Sequence, residues 1–286
     1  MVTGLTEKNF SASIRHQPVK ILSVTPDEAP RRVVIVLDAS GSMIGELPFW
    51  QLYLEVARDL VTTMPLDTSA GLVVFSSKVL KTIPLTNSRS NLQDELTSLQ
   101  PGIAALPKAS RNTALWDALA AAASEFDSPQ EGDAIYAITD GEDNASKSAN
   151  TNSLREEFVR KLIRLFTFSV YTGESKKTPE ETFQPVNLRD LSNATGGYAV
   201  NLPTIALGRF PTLTNKSGKH TPERELLTMQ FKQIFSFQRI EVQLPTPSDK
   251  TQDLNLKLTG LKAKNLTLVY PRKLAGCSKL TQSAAR

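Results

Sequence analysis

Cysteine occurs once in the 286 residues, at Cys277, and histidine twice, at His16 and His220. A lone thiol can close no internal disulfide and has no companion ligand, so a disulfide scaffold and a cysteine-built zinc site are excluded, while the redox compartment stays open. No run approaches the roughly 18 apolar residues that a membrane-spanning helix needs. Met1 is followed at once by polar residues instead of a basic segment and an apolar core, so no secretory leader is expected at this start. No G-x-x-x-x-G-K-[ST] phosphate loop, internal repeat or low-complexity tract occurs. A large excess of either charge is also lacking. The net charge is +4, with residues 239–286 at +6 and the remainder at −2. That excess forms no tight basic cluster with interleaved aromatics, so it reads as a solvated face and not as a nucleic-acid surface. What is present, 40% hydrophobic and 22% charged residues, suits one large domain with a smaller companion and a sizeable core.

The most informative stretch is Asp38-Ala39-Ser40-Gly41-Ser42, directly after Arg31-Arg32-Val33-Val34-Ile35-Val36-Leu37. Consecutive aliphatic residues without alternation predict a strand buried on both faces of a parallel sheet. In open α/β sheets ligands gather beyond the carboxyl ends of the strands, where Asp38, Ser40 and Ser42 would converge. One carboxylate and two hydroxyls, on a turn that Gly41 keeps open, are hard oxygen donors suited to Mg²⁺, Mn²⁺ or Ca²⁺. The alternative is that Asp38 or Ser42 only caps the following helix. Two later segments bear on the choice. Asp133 to Thr139 is a second apolar strand ending in a carboxylate, Asp140, and Asn112-Thr113-Ala114-Leu115-Trp116-Asp117 places a hydroxyl at the start of a helical pattern.

Together, DASGSM at 38–43, Thr113 in NTALWDAL and Asp140 in ITDGEDN resemble a von Willebrand factor type A domain with its metal-ion-dependent adhesion site. The resemblance covers roughly residues 31–237. It implies a doubly wound, mostly parallel six-stranded α/β sheet with one antiparallel edge strand. It also implies a metal site of Asp38, Ser40, Ser42, Thr113 and Asp140, the hydroxyls ligating and the carboxylates binding directly or through water. Met43, Asn112, Gly141 and Glu142 would form the ligand-binding rim. Asn112 stands where relatives usually carry Gly, which leaves the hydroxyl ligand in place.

Along the chain, Phe10–Ile14 and His16–Val24 read as two half-buried strands that need partners. Phe49, Leu52, Tyr53, Val56, Leu60, Val61 and Met64 recur at helical spacing, and Pro65 stops that helix. Gly71–Phe75 and Val79–Ile83 are strands whose short link makes them antiparallel. Helices are expected over 90–99, 114–126, 186–194 and 226–235, and one marked by Leu154, Phe158, Leu162 and Ile163. Strands are expected at 165–171 and 198–200, and loops at 101–110 and 202–222. Glu142 and Asp143 read as solvated rim residues, and Trp116 as a packing residue. Strands at 239–244, 254–258 and 266–270 are expected to pair with the N-terminal ones in a small β-sandwich-like module. The division is then residues 1–29, the A domain at 30–237, C-terminal strands at 238–271 and a tail at 272–286.

The expected activity is binding without catalysis. The resemblance implies Mg²⁺, with Mn²⁺ or Ca²⁺ as substitutes, bridging to an exposed Asp or Glu of a protein partner. Neither nucleic acid nor a membrane span is expected, and the oligomeric state stays open. A phosphohydrolase that begins at a strand-end Asp is the rival class. It wants a second Asp two residues on, where Ser40 stands, and both histidines lie outside the metal-bearing segments. A non-motor subunit of a chelatase-like ATP-driven complex is a third reading. Val2–Phe10 also resembles the segment leading into the A domain of bacterial, often exported relatives. It implies a secreted or cell-envelope adhesion protein and a start shorter than the native one; the lack of a leader keeps a cytoplasmic place open.

Overall fold

The computed structural model describes residues 4–27, 29–44, 47–106, 108–171, 186–203, 222–244, 248, 250–259 and 268–276. Three short strands come first, β1 (Phe10–Ile14), β2 (Gln17–Val19) and β3 (Ile21–Asp27). The expected single strand over 16–24 is broken: β2 stays with β1, and β3 pairs with a strand of another sheet. Arg15 and His16 turn the β1–β2 hairpin with φ of 49° and 66°, the left-handed pair that a tight two-residue hairpin turn requires.

The central sheet comprises β4 (Arg32–Asp38), β5 (Ser69–Phe75), β6 (Val79–Thr86), β7 (Ala134–Ile138), β8 (Arg164–Tyr171) and β9 (Ala199–Pro203), in the order β6-β5-β4-β7-β8-β9. All neighbours are parallel except β5 and β6, so β6 is the antiparallel edge. Helices α1 (Gly41–Ile44), α2 (Leu47–Thr63), α3 (Arg89–Ser98), α4 (Leu115–Ser124), α5 (Thr151–Lys161), α6 (Val186–Thr195) and α7 (Pro222–Phe235) connect the strands. The lack of alternation in β4 has a direct cause. Val33, Ile35 and Leu37 enter one core with α2, α3 and α7, and Val34 and Val36 enter a second with α4, α5 and α6. The α2 stripe packs as its spacing predicts, and Trp50 beside it is also fully buried, donating Nε1–H to Leu99 O at 2.8 Å.

Leu162, expected inside a helix, is instead the left-handed cap of α5 at φ 58° and is 47% exposed. Of the 202–222 loop, residues 204–221 lie outside the described residues, as do His220 and Cys277.

Strands β10 (Phe237–Val242), β11 (Gln252–Leu258) and β12 (Lys273–Leu274) join the N-terminal strands in two extra sheets, β12-β11-β1-β2 and β10-β3. Phe10, Ala12 and Leu256 form their small core, packed against Val24, Ile240 and Val242. The strand expected at 266–270 is displaced. Residues 266 and 267 lie outside the described set, 268–270 carry no ladder, and the pairing falls at 273–274 opposite Gln252 and Asp253. Leu268 and Tyr270 pack on the small core instead, and Pro271, which has no N–H to donate, abuts Gly196.

These extra strands meet the central sheet at its amino-end pole. Phe237 lies between two guanidinium groups, Arg31 at 4.2 Å and Arg164 at 4.3 Å from its ring centre. Arg31 also holds Asp27 at 2.7 Å, and Arg32 holds the buried Asp133 at 2.6 Å.

Candidate metal centre

The chain runs from β4 outward through β5 to β6, then returns through α4 to β7 on the other side of β4. The carboxyl ends of β4 and β7 are therefore the switch point of the sheet, the place where ligands of open α/β sheets gather. Asp38 is the last residue of β4 and Asp140 lies two residues beyond β7.

Asp38 is completely buried. Its Oδ1 accepts the Ser40 N–H at 2.8 Å and its Oδ2 accepts the Thr139 hydroxyl at 2.7 Å. Thr139 in turn accepts the Gly141 N–H at 3.0 Å, and Gly141 at φ 85° turns the chain away from the strand. Ser40 and Ser42 hydroxyls lie 3.1 Å apart, and Ser42 donates to Asp140 Oδ2 at 2.6 Å. Four of the five expected ligands thus form one connected set.

Thr113 reaches the same pole by its backbone. Ala39 N–H donates to Phe75 O at the end of β5, and Ala114 N–H donates to the next carbonyl, Ser76, each at 2.7 Å. Thr113 N–H donates to Asn144 Oδ1 at 2.8 Å, and Thr113 O accepts from Asn144 and Ala145 N–H groups at 2.9 and 3.0 Å. It is 2% exposed.

On the expected rim, Asn112 and Glu142 are exposed, whereas Gly141 is buried. Met43 is also buried, at 1% exposure. The α1 turn, closed by Met43 and Ile44 N–H groups on Ser40 O, points the Met43 side chain into the core. Trp116 packs against the second core, as expected. Asp143, expected to be solvated, instead accepts from Trp116 N–H at 3.3 Å and from the Ser146 hydroxyl. Sequence reasoning passed over Thr139, Asp117 and Asn144, each of which hydrogen-bonds within this site or its supporting loop. Only the hydroxyl in Thr139-Asp140-Gly141 gave a local hint.

The electrostatics separate the two poles. Asp27 and Asp133 at the amino-end pole are each answered by arginine. Asp38 and Asp140 make no ion pair among the described residues. Burial, followed by the nearby Asp140 carboxylate, pushes the Asp38 carboxyl up to about 7, against the hydrogen bonds from Thr139 and Ser40. Two carboxylates and neighbouring hydroxyls, with no protein cation between them, are a donor set that fits a hard divalent ion. The described residues hold no cluster of three His, Cys, Asp or Glu side chains, so such a site depends on hydroxyl oxygens.

Residues 33–142 match the model of the von Willebrand factor type A domain family, a stretch running from β4 to just past Asp140. The fold of the chain is shared with proximal thread matrix protein 1 from the mussel byssus, with 16% identity and a TM-score of 0.54, covering 77% of this chain and 50% of that one. A further structure of that protein, with a zinc occupied MIDAS motif, aligns at 15% identity and a TM-score of 0.54 over 77% of this chain and 50% of that one. The von Willebrand factor type A protein from Catenulispora acidiphila aligns at 16% identity and a TM-score of 0.54, covering 82% of this chain and 52% of that one. The chain spans about half the length of these solved relatives. A comparison with curated proteins finds no match.

Proposed function

We propose that the protein is a divalent-cation-dependent interaction domain, in which Asp38, Ser40, Ser42, Thr113 and Asp140 hold Mg²⁺, with Mn²⁺ or Ca²⁺ able to replace it. The observation that carries this reading is a contrast between poles among the described residues: Asp27 and Asp133 are paired with arginines at one end, whereas Asp38 and Asp140 make no ion pair at the other. The all-oxygen donor set favours Mg²⁺ over softer ions. The zinc occupied MIDAS motif of the mussel protein supports a divalent ion in a protein of this fold.

When bound, the ion supplies an electrophilic coordination position for an Asp or Glu carboxylate of a protein partner. The chain's own residues supply the rest. Thr139 and the Ser40 amide keep Asp38 oriented, Ser42 steers Asp140, and Asn112 and Glu142 border the opening. The surrounding loops would set which partner fits. The reading is adhesive and non-catalytic, since Ser40 stands where a phosphohydrolase of this strand-end type wants a second Asp. A bacterial, envelope or extracellular setting rests on the family resemblance. Among the described residues no helix is long and apolar enough to cross a membrane.

The test is calorimetric titration of Mg²⁺, Mn²⁺ and Ca²⁺ into the protein and into Asp38→Ala, followed by a peptide array probed with Mg²⁺ or EDTA. Binding confined to Asp- and Glu-containing peptides, lost in EDTA and in Asp38→Ala, is expected. Array binding indifferent to EDTA would overturn the proposal, as would metal-dependent hydrolysis of phosphate esters.

A further inference from the structure

Helix α4 starts in an unusual way. Its N-cap is Ala114, which has no side chain able to accept a hydrogen bond, so the helix cannot cap itself. The loop after β7 supplies the missing acceptors. Asp143 accepts from the Trp116 N–H at 3.3 Å, and Ser146 Oγ accepts from the Asp117 N–H at 3.1 Å. The helix answers with its own carboxylate. Asp117 Oδ2 accepts from Lys147 N–H, and Oδ1 from Ser148 and Ala149 N–H groups, all at 2.9 Å. Asn144 completes the clasp, since its side chain and its own amide take the N–H and the carbonyl of Thr113.

The consequence is geometric. Thr113 and Asp140 sit on segments that share no strand ladder, yet a network of at least eight hydrogen bonds ties the residues just after each of them together. Desolvation works against the Asp117 charge, but the three backbone donors and Lys147 outweigh it and hold its carboxyl below the usual range. A ligand supported only by a free loop would wander; Thr113 is held at both polar groups of its peptide.

We infer that Asn144 and Asp117 are positioning residues that fix the Thr113 hydroxyl relative to Asp140, and that this stiffness favours Mg²⁺ over Ca²⁺. The inference rests on the metal reading proposed above. Its physical basis is that Mg²⁺ demands near-ideal octahedral geometry at short distances, whereas Ca²⁺ accepts longer and more variable ones. Outer-shell partners that orient ligands commonly change metal affinity by about 10–100-fold when removed.

The experiment measures Mg²⁺ and Ca²⁺ affinities by calorimetry in wild type, Asn144→Ala, Asn144→Asp, Asp117→Ala and Asp117→Asn, with amide exchange at Thr113 and at 147–149 in metal-free samples. Asn144→Ala and Asp117→Ala should weaken Mg²⁺ binding by about 10–100-fold and Ca²⁺ binding less, so the selectivity ratio moves. Their Thr113 amides should exchange faster while core amides of β4 stay protected. Asn144→Asp and Asp117→Asn, which each keep an acceptor oxygen, should recover most of the Mg²⁺ preference. Should Asp117→Ala fail to fold, Asn144→Ala and Asp117→Asn carry the comparison. If wild type binds Mg²⁺ and loses it in Asp38→Ala, yet Asn144→Ala keeps the wild-type affinity and ratio, the positioning role alone is overturned. If wild type binds none of the ions, both readings fall.

Discussion

Ser42 Oγ lies 2.6 Å from Asp140 Oδ2 although 98 positions separate them in the sequence. The bond spans the switch point of the sheet and joins the loop after β4 to the loop after β7. Removing it tests the site with little disturbance elsewhere, because Ser42 is exposed. Ser42→Ala removes a proposed ligand hydroxyl and should reduce divalent-ion affinity by about 10-fold or more. Stability should change by no more than about 0.5 kcal/mol. Calorimetric titration and thermal denaturation of the same samples check both.

Asp38 makes the metal-free protein sensitive to pH. Burial pushes its folded carboxyl up to about 7 from an ordinary 3.8, so between those limits the folded state holds a proton that the unfolded state has released. Stability therefore falls as pH rises through that window and is flat on either side. The full excursion is on the order of 4 kcal/mol. Urea titrations in EDTA at pH 5 and pH 8 should show the protein more stable at pH 5. A saturating divalent ion should shrink or reverse the difference.

Gly41 has no room for a side chain. A Cβ there would stand 2.9 Å from Arg111 Cγ and 3.1 Å from Arg111 Cα. Gly41→Ala must push the α1 turn and Arg111, two positions before Thr113, apart. Divalent-ion affinity should fall by about 10-fold or more, while the melting temperature moves by only a few degrees. An unchanged affinity would mean that the loop yields without moving the hydroxyl.

At the other pole, Arg32→Ala strips the buried Asp133 of its partner. Breaking a buried pair from one side costs about 3–5 kcal/mol. Chemical denaturation should show that loss. Ion affinity, read on the folded fraction, should be unchanged because the altered side chain lies at the far end of β4.

The sequence made β4 and β7 visible because burial on both faces erases alternation, leaving Val33–Leu37 and Ala134–Ile138 as plain apolar runs with a carboxylate just beyond. The proposed metal-site residues stood out by position, since each ends or follows a strand or precedes a helix. Less could be read where backbone and tertiary contacts decide. Nothing local shows that Leu162 must take a left-handed cap, or that the α1 turn carries Met43 inward. The break after Val19 depends on which sheet each half of the segment joins. The Asn144 and Asp117 contacts link residues about 30 positions apart and leave no periodicity. That α4 starts from Ala114, which has no capping side chain, became visible only in the structure.

The Phe237 stack has a practical consequence for handling this molecule. Arg31 and Arg164 fasten the outer strands to the amino ends of β4 and β8, and β4 alone spans seven residues, about 23 Å, before Asp38 is reached. A dye, bead or surface tether attached beside Phe237 on β10 would therefore sit at the opposite end of β4 from Asp38.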